Sequence, residues 1–79
     1  MLTTGYVKCF GKMAITIEDE NKKQYYAPFS DIHKYVLEQL IDPLPKLPVK
    51  FNVNTNKTAG YANNVPRYYA FGVELDLEF

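Results

Sequence analysis

The first extended run of this chain puts aromatic and basic residues on one side. In Gly5-Tyr6-Val7-Lys8-Cys9-Phe10 successive strand side chains point to opposite faces, so Tyr6, Lys8 and Phe10 fall together, opposite Val7 and Cys9. A second run, Tyr25-Tyr26-Ala27-Pro28-Phe29-Ser30-Asp31-Ile32, contributes Tyr26 and Phe29. Rings beside ammonium groups on an exposed sheet face can stack unpaired bases while the cations hold the phosphate backbone. Lys12 adds a second cation near the first run, and Tyr61 adds a ring in a loop before the last short strand. The competing reading is structural: the rings fill a small β-barrel, and the lysines are ordinary solvated strand residues.

Other chemistry finds little footing. Cys9 is the only cysteine, so neither an internal disulfide nor a cysteine metal cluster can form. It shares a face with Val7 and reads as a buried, inert thiol. His33 is the only histidine, and Asp31, two positions earlier on an expected helix, points elsewhere. No serine or cysteine has a base beside it, and there is no His-x-Glu deaminase pattern or Walker loop. The expectation is a binding protein with no catalytic residues, metal or cofactor.

Composition narrows the class. Seventy-nine residues with 47% hydrophobic content make one domain with a compact core. The net charge is zero, but Glu74, Asp76 and Glu78 sit at the C-terminal end, leaving residues 1–73 at +3. The first 17 residues hold Lys8 and Lys12 and no acid, which allows a local positive surface. No apolar run approaches 18 residues, and Met1–Gly5 lacks a signal-peptide pattern, so no membrane contact is expected. A single cysteine fits a reducing compartment, and the expected location is cytoplasmic.

The elements that would position these residues read in order. Strand one covers 5–10, Gly11-Lys12 turns, and Ala14–Ile17 forms strand two. Glu18–Lys23 is a solvated hairpin tip, and Gln24–Phe29 is strand three. Ser30 caps a helix over Asp31–Ile41, stopped by Asp42-Pro43. Pro43, Pro45 and Pro48 stiffen the connection to a Val49–Val53 strand. A polar loop at Asn54–Gly60 then leads to a short strand at Ala62–Val65, closed by Pro66. Val7, Ile15, Ile17, Val49, Phe51, Val53 and Val65 are core by alternation. In the tail, Tyr69, Phe71, Val73, Leu75, Leu77 and Phe79 fall on one side throughout. A straight strand over residues 67–79 would span roughly 43 Å at about 3.3 Å per residue, against about 30 Å for a domain this size. The tail must therefore bend, with Gly72 the natural place, or reach beyond its own domain.

Five or six short strands and one helix between the third and fourth suggest a small all-β Greek-key barrel. The motifs sharpen this. Gly5-Tyr6-Val7-Lys8-Cys9-Phe10 resembles the Gly-x-Val-Lys-Trp-Phe opening of bacterial cold-shock domains. Ile15-Thr16 with Tyr25–Ile32 is similar to their Phe-Ile-Thr and Val-Phe-Val-His-Phe-Ser-x-Ile motifs. Val49-Lys50-Phe51-Asn52-Val53 and Ala62-Asn63-Asn64-Val65 resemble their closing pair at the same separation. The resemblance covers residues 5–65, and it implies a five- to six-stranded OB-type barrel over 1–66, with 67–79 as an additional C-terminal β segment. It also implies binding of single-stranded RNA or DNA, with bases stacked on Phe10, Tyr26 and Phe29 and phosphates met by Lys8 and Lys12. Tyr6 would lie beside them, and Tyr61, by its loop position alone, would add a ring at the rim. The sequence departs from the family where Lys12 and Ala14 replace two stacking rings, Cys9 replaces the tryptophan and Pro28 the histidine. The rival expectation is a protein-interaction module whose segment 67–79 pairs through its unpaired edge with a second copy, as a homodimer, or with another protein.

Overall fold

The computed structural model describes residues 2–41, 47–62 and 64–76, and within them all side chains but those of Phe10, Gln39, Leu40, Ile41 and Ala62. Five strands form one antiparallel-dominated sheet: β1 (Leu2–Phe10), β2 (Ala14–Glu18), β3 (Gln24–Pro28), β4 (Pro48–Ala62) and β5 (Val65–Leu75). Their order, β1-β2-β3-β5-β4, returns to β1 and closes the sheet into a ring. Four of the junctions are antiparallel, and β3 meets β5 in parallel through Tyr25↔Tyr68 and Tyr26↔Tyr69. The expected all-β architecture is observed, with five strands.

The β1–β2 crossing is close enough to demand glycine. A Cβ on Gly5 would stand 2.6 Å from the backbone oxygen of Glu18 and 3.1 Å from Ile17 Cγ2. Inside the ring, Ile15, Ile17, Ala27, Val49, Phe51, Ala70 and Val73 are all but inaccessible, joined by Val7, Tyr25, Ile32, Val36 and Leu47. Tyr25 packs its ring 4.9 Å from that of Phe51. Fully burying a side chain the size of Phe51 contributes about 1.5–3 kcal/mol, so the alternation at Val49-x-Phe51 is the sequence feature that anchors the sheet.

Between β3 and β4 lies a single 3₁₀ turn at Phe29–Asp31 and then helix α1 (Lys34–Ile41). The helix begins three residues later than Ser30 capping would give, because Ile32 is extended and bridges to Val73 of β5. His33 takes the capping role instead: Nδ1 accepts from the Tyr35 N–H at 3.3 Å, and its ring stacks 4.7 Å from that of Tyr35. The proposed helix stop at Asp42-Pro43 and the stiffening by Pro43 and Pro45 lie outside the described residues.

Three local departures from simple alternation decide which side chains face out. A β-bulge between Val7 and Cys9 inserts an extra residue against β2, so Cys9 is exposed and not buried beside Val7. In β4 there is no separate loop and short strand: the strand runs from Pro48 to Ala62 through register shifts around Thr58, and Val65, expected in the core, is exposed at the start of β5. In β5, Gly72 adopts φ 61°, and the register slips there against Lys50 and Asn52. Ala70 and Val73, three apart, are consequently both buried, while Phe71 is exposed. The period of two does not run through the tail, and the expected bend is this glycine bulge. It keeps the long β5 within a molecule 33 Å in its greatest extent.

Residues 67–75 are thus all but the first two residues of the fifth strand, which closes the ring. They are not an addition to a sheet complete at residue 66. Tyr68 and Tyr69 are flanked on both sides, by β3 and by β4, which removes the free edge on which pairing through this part of the tail was premised. Residues 77–79 lie outside the described residues.

Candidate functional site

Two groups of aromatic and charged side chains occupy the outer face of the ring. The first is at β1 and β2. Tyr6 stands opposite Glu18 in the register, and its hydroxyl donates to Glu18 Oε1 at 2.8 Å. Lys8 Nζ lies 2.9 Å from Glu18 Oε2, and Gln24 Nε2 donates to the same oxygen at 3.5 Å. Glu18, expected in a solvated hairpin tip, is only 8% exposed. Hydrogen bonds from Lys8 and then Tyr6 hold its carboxyl below the usual range, while the same contacts raise the Lys8 ammonium and the Tyr6 phenol. The charge of Lys8 is therefore answered within the protein.

Next to it, Asp19 is equally enclosed and organises the turn. Its Oδ1 accepts from the Asn21 and Lys23 N–H groups at 2.9 Å each. Its Oδ2 accepts from the Tyr25 hydroxyl at 2.9 Å. Burial, and secondarily the bond to Asp19, pushes the Tyr25 phenol up to about 12. This is an Asx-type turn in which the carboxylate substitutes for backbone partners, so the acids here are structural.

The second group runs across β3, β5 and β4. The burial alternation of β3 turns Tyr25 and Ala27 inward and Tyr26 outward. Thr16, Tyr26, Tyr69 and Asn54 lie side by side in one row of the sheet. The rings of Tyr26 and Tyr69 meet edge to face, 5.4 Å apart at 85°. Lys57, from the part of β4 that continues past this row, holds its Nζ 5.1 Å from the Tyr69 ring centre. Farther out, the β4–β5 hairpin forms an arm in which Arg67 Nη2 donates to the Ala59 carbonyl at 2.8 Å. Tyr61, opposite Pro66 on this arm, is 71% exposed. Among the described residues the sole ion pair is Lys8–Glu18, so no carboxylate is in ion-pair contact with Lys57 or Arg67.

Of the seven residues singled out from the sequence, the six whose side chains are described fall in different settings. Tyr6 and Lys8 belong to the Glu18 cluster. Tyr26 is half-exposed in the second group, and Tyr61 lies on its arm. Lys12 is exposed in the bend after β1. The Phe29 N–H donates to the Met13 carbonyl at 3.0 Å, and its half-buried ring packs against the core. Phe10 pairs with Ile15 in the register, and its side chain lies outside what is described. Of the two described rings of the expected platform, Tyr26 is partly exposed on the outer face and Phe29 is half-buried against the core. Sequence reading missed Tyr69, by grouping it with Val73 and Leu75, and Lys57, by placing it in a loop. A glycine inside an alternating run is the signal that would have separated Tyr69 from Val73, because it marks where the faces exchange.

Among the described residues no three metal-ligating side chains cluster, and no helix is long and apolar enough to cross a membrane. No family model matches this chain, and neither a curated protein nor a solved structure does.

Proposed function

We propose that this chain is an OB-type barrel, similar to cold-shock domains, that binds single-stranded RNA or DNA in a reducing, cytoplasmic setting without a catalytic step. The observation that carries the reading is the Tyr26–Tyr69 pair on the outer face with Lys57 over it. The strand order, the parallel β3/β5 junction and the helix between β3 and β4 support the barrel type. Bases stack on the exposed parts of Tyr26 and Tyr69, and Lys57 moves from its ring to a phosphate as a base takes its place. Tyr61 extends the stacking surface along the arm, and Arg67 adds charge beside it. With two principal rings and few uncompensated cations, the strand is held with little sequence preference.

Quenching of tyrosine fluorescence by oligo-dT or oligo-U at low salt tests this directly. Saturable quenching that weakens with added salt is the expected result. Its absence at micromolar protein overturns the reading.

A further inference from the structure

One end of the ring is not filled by its own side chains. Between the inward faces of β1, β3, β4 and β5 lies a recess of about 370 Å³ lined by Thr3, Lys23, Tyr25, Val53, Thr55 and Tyr68. None of these belongs to the outer-face groups. Val53 and Tyr68, both packed against the core, make apolar walls, and Tyr25, itself buried, closes the inner side. Lys23 is exposed at the rim with Nζ 5.8 Å from the Tyr68 ring centre. Among the described residues it has no carboxylate in ion-pair contact. The nearby Asp19 is already engaged, both its oxygens accepting from donors of its own turn and of Tyr25. Because the Tyr25 hydroxyl donates to Asp19, its oxygen presents acceptor capacity only, while the Thr3 and Thr55 hydroxyls can donate or accept.

A flat wall, a cation at the rim and a mixed set of donors and acceptors match a planar heterocycle carrying an anionic group. Barrel mouths of this volume are a preferred place for such ligands. We propose that this mouth is a binding pocket for a single nucleotide, the base against Tyr68 and Val53 and the phosphate at Lys23. The choice of a nucleotide among planar anions rests on the function proposed above. The same chemistry is offered by a free mononucleotide and by the terminal nucleotide of a bound strand.

Heteronuclear NMR titration of the whole chain distinguishes these. Uridine monophosphate at millimolar concentration is expected to shift the amides of Lys23, Val53 and Thr55 saturably. Lys23→Ala should weaken that binding about tenfold, the loss of one charge-assisted contact, whereas Tyr69→Ala should leave it unchanged. Linear oligo-U shifting the same amides while a circular oligo-U does not identifies a strand end as the occupant. Shifts with the mononucleotide alone identify the free ligand. Shifts confined to the surroundings of Tyr26 and Tyr69, or none at all, overturn the pocket. If oligonucleotide quenching persists in that case, the outer-face reading survives the loss. If uridine monophosphate binds the mouth while oligonucleotides fail to quench, the outer face is wrong and the pocket stands.

Discussion

The two outer-face groups contain nearly the same residue types and come out differently. At β1–β2 a tyrosine and a lysine stand beside Glu18, and both are bound to it. At β3–β5 two tyrosines and a lysine stand together, and across from Tyr69 the row ends in the neutral Asn54. A cation over a ring can exchange its partner for a phosphate with little change in its own solvation. A lysine already bonded to a carboxylate must first give up that charge-assisted contact. What leaves the charge of a lysine unpaired or answered is therefore the residue on the neighbouring strand, more than the pattern along the strand itself.

The strongest perturbation removes the frame on which both regions depend. Gly5→Ala places a Cβ 2.6 Å from the Glu18 carbonyl oxygen, and a backbone atom cannot swing aside as a side chain can. The variant should lose on the order of 3 kcal/mol, most of what a core of this size supplies. Urea denaturation followed by circular dichroism would read this as a collapsed midpoint, and a wild-type midpoint would show that β1 and β2 are not so closely crossed.

Binding variants then sort the regions. Tyr69→Ala should cost about 1–3 kcal/mol of oligo-dT affinity, the value of one stacked base. Tyr6→Phe, which deletes only the hydroxyl bonded to Glu18, should leave affinity within about twofold. The reverse ranking would exchange the roles assigned to the two faces. Charge variants sharpen the point further. Lys57→Ala should make the dependence of log affinity on log salt shallower by about 0.7, one phosphate contact on a single strand. Glu18→Gln should release Lys8 and steepen it by about the same amount, converting the silent region into a contributor. An unchanged slope in Glu18→Gln would mean that Lys8 does not face the bound strand.

The remaining effects are confined to the extremes of pH. The Tyr25 phenol is pushed from its ordinary 10.0 to about 12 in the folded chain. Its contribution to stability is whole below pH 10 and disappears as the pH rises toward 12, because the unfolded chain ionises first. Alkaline unfolding of Tyr25→Phe should lack this component, as monitored by tyrosinate absorbance and circular dichroism together. Glu18 acts in the opposite sense. Its carboxyl is held below the usual range, so its contribution is present above the unfolded carboxylate pKa and is lost as the pH falls through the folded one. Acid titration of Glu18→Gln should show a correspondingly flatter stability profile.

Much of the frame could be read along the chain. Val49-x-Phe51 and Ile15-x-Ile17 carry apolar spacing that commits them to an interior whatever their partners. Gly72 announced a bend on length alone. The site was less legible. Tyr26 could be singled out from its own strand, but Tyr69 joined it only when β5 inserted beside β3, a parallel contact between segments more than forty residues apart. Cys9 and Val65 were misplaced because single-residue shifts in register reverse the facing of everything beyond them.

The sequence by itself determined a small all-β chain with one helix and a core of alternating aliphatic residues, since periodicity and hydrophobic burial act locally and survive any choice of neighbour. Which rings meet, and which lysines keep their charge available, was decided by the closed order of the strands. Edge-to-face contacts and ion pairs act over a few ångströms, and only the folded sheet brings Glu18 to Lys8 and Tyr69 to Tyr26 within that distance.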